Sequence, residues 1–556
     1  MEFDTLNRMY EYLFRARAGL PAYHVKRKGG WEAVTWEGYG EKVRDFAIGL
    51  MALGMERQEP VSILGTTREE WDLADKAILL GGGVSVGVYH SNTPQQVQHI
   101  VHHSESRFLV LENEAQWRKI EQVRHDLPMV RGYIAMDPKG IPDRNVIPFV
   151  EVLRLGRENK GRSEGPYAGR TASVQPEDTA IIFYTSGTTG PPKGAMLSHR
   201  NILSICKTIR DWGVLTPEDT AVIWLPMPHI YGRLMAVASA LCGTVGWYAE
   251  SVDKLMENLQ EIRPTIFYSV PRIFEKVHSL FIGQAGKGTD EDLSQRIRQA
   301  FGGRIRVILS GGAPIAKEIL EFFHAAGILP LEIYGITETL MCSVNRPEKY
   351  RFGSVGCAPA GVDLRIADDG EILVRSDMVF KGYLKDPEKT REAVSEDGWY
   401  ATGDIGRIDA DGFLWITDRK KDILITAGGK NVAPQNVENV VKTSPYISQV
   451  MVYGDRKPFL TALVTLDADE IRKWASSQGI DEADFRTLCS RPEVVGLVES
   501  EIREQNKALA PYEQVKYVRI LPEEFSQESG TLTATLKMRR REIIKRYGGL
   551  LEGFYT

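Results

Sequence analysis

Apolar positions recur along this chain with two periods, and the period changes from segment to segment. In "YGEKVRDFAIGLMALGM" the residues Val43, Phe46, Ala47, Leu50 and Leu53 fall three or four apart, which predicts one face of a helix. "PVSILG" follows as a short continuous apolar run, a buried strand, ahead of a second helix, "REEWDLADKAILLGG". In "SNTPQQVQHIVHHSES" Thr93 reads as a helix N-cap with Pro94 at the first helical position, and the strand "RFLVLEN" comes next. Alternation of this kind predicts parallel sheets covered by helices. The polar stretch "GRENKGRSEGPYAGRTASVQPED" reads as a linker. Beyond it, "TAIIFYTS", "TAVIWLP", "PTIFYSVP", "RIRVILSGGAP" and "LPLEIYGITE" are apolar runs that each end in a loop. Ligands of open parallel sheets sit beyond the carboxyl ends of the strands. The unusual residues gather there, at 185–193, 226–233, 310–314 and 334–338.

From about Glu371 the pattern shifts to short strands joined at Asp-Gly turns, "IADDGEILV" and "RIDADGFLWIT", which predict hairpins. After the charged cluster "DRKKD", strands such as "QVMVYGD" and "FLTALVTL" mix with helices. The expected fold is therefore α/β: a large N-terminal domain, residues 1–418, of helix-covered, mostly parallel sheets with a hairpin-rich part, then a small mobile α+β domain, residues 419–556. A chain of 556 residues requires this division, since single cores stop growing near ~250 to 300 residues. A net charge of -5 carries no footprint of a nucleic-acid binder. Five scattered cysteines without a CxxC predict reduced thiols in a cytoplasmic setting. The N-terminus lacks a signal-peptide apolar core, and no run reaches the roughly 20 apolar residues of a membrane span, so no transmembrane segment is expected, with peripheral membrane contact left open.

The candidate chemistry starts at "YTSGTTGPPKGAMLSHRN". A Walker loop needs Gly-Lys-Ser/Thr running into a helix, whereas Lys193 precedes Gly194 here and the hydroxyls lie upstream. The physics of a phosphate cradle survives the mismatch. Gly187 and Gly190 let backbone approach oxyanions, Thr185, Ser186, Thr188 and Thr189 offer hydroxyls, and Lys193 adds a mobile positive charge. A mere surface loop would not need the buried-type strand "AIIFY" leading into it.

"YTSGTTGPPKG" resembles the signature loop of the adenylate-forming superfamily, which includes acyl-CoA synthetases, the adenylation domains of peptide synthetases, and luciferases. "LPMPHIYGR", "LSGGAP", "YGITE", "GWYATGDIGRID", "DRKKDILITAGGKNVAP" and "LTATLKMRR" follow in the superfamily's order, so the resemblance covers nearly the whole chain. It implies that Glu338 and Thr185 lie on the magnesium side of ATP, that Thr337 contacts the α-phosphate, and that Tyr334, with Gly335, Gly311, Gly312 and Ala313, surrounds the nucleotide. Asp404 would bind the ribose diol, although an isolated Asp at a turn is often only a cap. Arg419 would contact ribose or phosphate, and Lys421 would be the hinge of the small domain. The basic run "LTATLKMRRREIIKRY" taken alone is a solvated helix or a charged patch; the resemblance to long-chain acyl-CoA synthetases points to Lys537 as the catalytic lysine, ahead of Arg539 and Arg540. His229 would stand between the acyl pocket and the thiol entry. Gly428 and Gly429 would let a pantetheine arm pass. His99, His102 and His103 lack ligand-spaced partners and read as a solvated helix face.

The implied activity is a two-step ligase that uses ATP, Mg2+ and coenzyme A to activate a fatty carboxylic acid, its motifs being similar to the long-chain and bubblegum-type enzymes more than to acetyl-CoA or aryl-CoA ligases, with a medium-chain acid left open. Transfer to a carrier-protein phosphopantetheine is the nearer rival. A catalytically silent nucleotide-binding regulatory protein is the more distant one, opposed by intact Lys193, Glu338, Asp404 and Lys537.

Overall fold

The computed structural model describes residues 2–185, 191–282, 290–533 and 537–555. Two eight-stranded sheets form the large body. In the first, the strands Val84–Tyr89, Pro60–Gly65, Phe108–Leu111, Gly132–Ala135 and Val146–Pro148 run parallel beside Thr179–Thr185, which pairs antiparallel with Lys193–Ser198. In the second, Leu329–Tyr334, Val307–Gly311, Ile266–Ser269, Thr220–Ile223, Val245–Tyr248 and Pro21–Arg27 run parallel, with antiparallel strands at both edges. The expected helices and strands of the first 150 residues are present, Thr93 capping Pro94–His103 in a reciprocal box with Gln96. The Asp-Gly turns make hairpins in a four-stranded antiparallel sheet, where Gly370 and Gly412 both take φ +85°, a conformation open to glycine at little cost.

The expected linker is a correction. Residues Phe149–Ser173 form one helix of 25 residues that buries Phe149, Val152, Gly156, Tyr167 and Thr171. Gly156 in it and Gly49 in the facing helix Trp36–Ala52 are sites of close approach, whereas Gly161, Gly165 and Gly169 have open space. A Cβ at Gly156 would stand 1.7 Å from the Asp45 carbonyl oxygen, and one at Gly49 would stand 2.2 Å from that of Val152. The helix therefore lies against Trp36–Ala52 with backbones nearly touching, and only the few residues after Ser173 connect it to Thr179–Thr185.

Where the two large sheets meet, an ionic network is sealed from solvent. Arg233, in the first turn of helix Ile230–Cys242, is fully buried and pairs with Asp75 and the Ser85 hydroxyl. Its guanidinium stacks over Trp71 at 5.0 Å and Phe183 at 5.3 Å. Lys76 donates to Asp72 and Asp75, both at 2.7 Å, and the Tyr39 hydroxyl donates to Asp72 at 2.6 Å. The network ties helix Glu69–Leu80 and strand Val84–Tyr89 of the first sheet to a helix of the second.

Hydrophobic clusters running from Leu6 to Leu414 and from Leu64 to Tyr184 form the core of the large body, and others, from Val432 to Val515 and from Met451 to Leu551, that of the C-terminal part. There the strands Ile447–Tyr453, Leu460–Leu466 and Val515–Leu521 form a three-stranded sheet with helices Pro434–Val441 and Pro492–Gln505 packed on it. No helix among the described residues is long and apolar enough to cross a membrane.

Candidate functional site

The site gathers where strand Leu329–Tyr334 ends beside the antiparallel sheet. The Tyr334 hydroxyl donates to Asp404 Oδ2 at 2.6 Å. Arg419 lies directly across from Asp404 in the ladder, and its Nε approaches Oδ1 at 3.1 Å. The Asp404 backbone N–H donates to the Thr402 hydroxyl at 3.1 Å, so both the chain and the carboxylate are held. Each carboxylate oxygen keeps a further lone pair, which suits it to accept from two vicinal hydroxyls. Burial, and then the neighbouring Asp404, push the Tyr334 phenol far above its ordinary pKa, so it stays a donor.

Past Tyr334 the chain turns too tightly for a side chain at Gly335, where a Cβ would stand 2.0 Å from the Leu340 carbonyl oxygen. Leu340 closes the turn at φ +58°. The turn presents Glu338, which accepts from the Tyr383 hydroxyl at 2.8 Å, while Thr337 beside it stays partly exposed. Burial raises the Glu338 pKa, so this carboxylate gains from any cation brought to it. Lys193 Nζ sits 4.8 Å above the Tyr383 ring, and Thr185 faces Lys193 in the ladder. Ser186, Gly187, Thr188, Thr189 and Gly190 lie outside the described residues. Among those described, no cluster of three or more His, Cys, Asp or Glu side chains could hold a metal ion. A divalent ion here would have to share one carboxylate, Glu338, and the Thr185 hydroxyl with oxygens of a bound polyphosphate, a hard donor set suited to magnesium.

Gly311 ends its strand with the Tyr231 ring 3.4 Å from where a Cβ would stand, and the Tyr231 hydroxyl donates to the Leu309 carbonyl at 2.6 Å. Gly312 follows at φ +87°, and Ala313 is exposed. His229 caps helix Ile230–Cys242 by accepting the Tyr231 N–H on Nδ1 at 3.1 Å. That bond leaves the ring proton on Nε2. Burial, with Lys537 nearby, lowers the His229 pKa to about 3, so it is a neutral donor at working pH.

Lys537 closes the site from the C-terminal part. Its N–H donates to the Thr533 hydroxyl at 3.0 Å and its carbonyl accepts from the Thr533 N–H at 2.8 Å, making a narrow hairpin base. The side chain is open to solvent, yet its ammonium stands among enough protein, and near enough to Arg419, to lower its pKa to about 8 against the pull of Asp404 and Glu338. Two polar contacts seat the C-terminal part on helix Pro271–Ile282. Arg272 Nη2 donates to the Ser448 hydroxyl at 3.0 Å, which donates to Glu524 at 2.7 Å, and Lys442 pairs with Glu275 at 3.1 Å.

Other expected residues stand apart from this cluster. Lys421 is exposed in the turn that follows Arg419, whose carbonyl accepts from the N–H groups of Asp422 at 2.9 Å and Ile423 at 3.2 Å. Its neighbour Lys420 is held by Asp369 at 2.6 Å and Glu371 at 2.8 Å. Gly428 and Gly429 occupy an exposed turn, with Gly429 N–H on the Thr426 carbonyl at 2.8 Å and the adjoining Ala427 N–H on that of Lys457 at 2.9 Å. Sequence reading missed Tyr383, which carries no motif of its own, and misread two histidines. His99 and His103 are half-buried, and only His102 is exposed on the face expected to be solvated. Their partners are the residues flanking the loop between Thr185 and Lys193.

Residues 14–384 match the AMP-binding enzyme family, and residues 421–556 match the AMP-binding enzyme C-terminal domain. The chain is 32% identical over 567 residues to the long-chain-fatty-acid–CoA ligase FadD15 of Mycobacterium tuberculosis, covering 95% of this chain and 93% of that one. It is 30% identical to the long-chain-fatty-acid–CoA ligase ACSBG2 of Xenopus laevis, covering 99% and 84%. Among solved structures, the adenylation domain of a carboxylate reductase from Mycobacterium chelonae superposes with a TM-score of 0.81 at 23% identity, covering 99% of this chain and 91% of that one. The anthranilate CoA ligase AuaEII in complex with anthranoyl-AMP superposes with a TM-score of 0.77 at 21% identity, covering 98% and 97%. At these identities the structures speak for the fold.

Proposed function

The chain belongs to the AMP-binding enzyme family, and from that premise we propose that it is an ATP-dependent acyl-CoA ligase acting on long-chain fatty acids. The observation that supports the reading is that Lys537, from the C-terminal part, interacts electrostatically with Arg419, Asp404, Glu338 and His229, and that Arg419 pairs with Asp404. A carboxylate oxygen attacks the α-phosphorus of ATP, the bond to the β-phosphate breaks, and pyrophosphate leaves with the electron pair. The coenzyme A thiol then gives its proton to solvent, its sulfur bonds to the acyl carbon, and the bond from that carbon to the phosphate oxygen breaks, so that AMP departs with the electron pair. In the first step Asp404 holds the ribose, Tyr334 and Gly335 flank the base with Gly311, Gly312 and Ala313, and Thr337 meets the α-phosphate. Lys193 and Lys537 stabilise charge that water would otherwise have to solvate. Magnesium held by Glu338 and Thr185 would neutralise the departing pyrophosphate. His229 offers an uncharged donor near the acyl carbonyl. For the second step the small domain, residues 419–556, turns about Lys421 and brings Gly428 and Gly429 to the pantetheine arm. The named activities of the relatives favour long-chain acids, and substrates such as ATP and coenzyme A suit a cytoplasmic location.

A pyrophosphate-release assay over acids of graded chain length, with and without coenzyme A, tests this reading. Release is expected to peak with long-chain acids, and thioester is expected only with coenzyme A present. Absence of release with every acid sinks the ligase reading, and release without thioester removes the coenzyme A half of it.

The contacts on helix Pro271–Ile282 give a second expectation. A partly exposed ion pair is worth up to about 1 kcal/mol, or about fivefold in a conformational equilibrium. Lys442→Glu should therefore slow adenylate formation by about that factor, and adding Glu275→Lys should restore it. Pre-steady-state pyrophosphate release measures both; a charge swap that fails to restore the rate removes the pair from the seat of the small domain.

A further inference from the structure

Helix Pro94–His103 is a rigid arm, capped by Thr93 and anchored through buried Val97, Ile100 and Val101. His99 and His103 lie one turn apart on its same face, with ring centroids 5.5 Å apart and planes 18° from parallel. His99 Nε2 is 3.0 Å from the Pro192 carbonyl oxygen. A carbonyl only accepts, so Nε2 carries the proton and donates. His103 Nδ1 is 2.8 Å from the Tyr184 hydroxyl, and the Tyr184 ring stands edge-on to both imidazoles. Burial and the neighbouring His99 lower the His103 pKa, which keeps Nδ1 able to accept from the phenol.

Tyr184 directly precedes Thr185, and Pro192 directly precedes Lys193. One helix thus grips the chain on both sides of the loop, at the two residues that adjoin the Thr185–Lys193 ladder pair. From Lys193 the contacts continue to the Tyr383 ring and from the Tyr383 hydroxyl to Glu338.

We propose that His99 and His103 are positioning residues for ATP, fixing Thr185 and Lys193 through the Tyr184 hydroxyl and the Pro192 carbonyl. The proposal rests on the reading of Thr185 and Lys193 as nucleotide contacts and extends it to the helix that holds the residues beside them. A hydrogen bond of this kind is worth about 0.5 to 1.5 kcal/mol, so losing one should weaken ATP binding roughly two- to tenfold.

Isothermal titration of the full chain with MgATP tests it without needing an acid substrate. His99→Ala and His103→Ala are expected to raise the dissociation constant two- to tenfold each. His99→Gln, which keeps a donor, and His103→Asn, which keeps an acceptor, should recover most of the loss. Tyr184→Phe removes only the hydroxyl and should match His103→Ala, which guards against misfolding of the histidine variants. In the pyrophosphate assay the KM for ATP should rise while the KM for the acid and the thioester step from supplied acyl-adenylate hold. Unchanged ATP affinity in the alanine and Tyr184→Phe variants overturns the proposal, as does a loss that the Gln and Asn variants do not repair. A wild-type chain that binds ATP but activates no acid would end the ligase reading while leaving this comparison decisive.

Discussion

Replacing Lys537 by alanine is expected to slow acyl-adenylate formation by about 10²- to 10³-fold, the loss typical of removing one preorganised group that meets developing charge. Thioester formation from a supplied acyl-adenylate should keep most of its rate, because the proposed second step puts Gly428 and Gly429 where Lys537 had been. Single-turnover pyrophosphate release and thioester formation, measured separately, check the pair of outcomes. Equal loss in both steps would count against a role confined to the first. The titration of this lysine adds a pH signature. Its pKa is lowered to about 8, chiefly by the protein around its ammonium and then by Arg419, so raising the pH strips the proton and the positive charge. Adenylation kcat/KM for ATP should fall as pH rises through that value, since this constant reports the free enzyme. The limb in kcat should lie higher, because bound phosphates favour the ammonium. Lys537→Arg, charged at all these pH values, should lose the limb even if its rate is lower.

Arg233→Met is expected to cost the large domain about 3 to 5 kcal/mol, the range for breaking a buried ion pair from one side. Asp75 would keep Lys76 at 2.7 Å, but Lys76 already shares its charge with Asp72 at the same distance. One positive charge would then face two carboxylates in a sealed interior. Adding Asp75→Asn removes the excess negative charge and should recover part of the loss. Urea unfolding of both variants measures it. A single variant that unfolds at the wild-type midpoint would show the network idle, and a double variant no better than the single would place the cost in packing on Trp71 and Phe183.

The elements that were legible in the sequence have their signal in their own residues. Val43, Phe46, Ala47 and Leu50 face the core because their spacing leaves them nowhere else to point, and the Asp-Gly turns at Gly370 and Gly412 need only local geometry. Lys537 is singled out only by motif order, since nothing local distinguishes it from Arg539 and Arg540. What escaped depends on partners distant in sequence. His99 and His103 look solvated until the strand ends at Tyr184 and Pro192 are laid against them. Nothing beside Arg233 in sequence marks it as a buried ion; Asp75 and Ser85, which pair with it, come from the other side of the domain. Tyr383 matters only because Lys193 covers its ring and Glu338 accepts from its hydroxyl. Gly156 reads as a breaker in a polar run, and its small size is used instead by the backbone at Asp45.

That last contact bears on how the molecule can be taken apart. Residues 156–173 have the polar, glycine-bearing texture that invites a protease site, a fusion joint or new termini, yet an insertion there would cut a helix whose backbone abuts its neighbour. Tolerant junctions are better sought at exposed turns outside helices where an added Cβ meets nothing, as at Gly361 and Gly479.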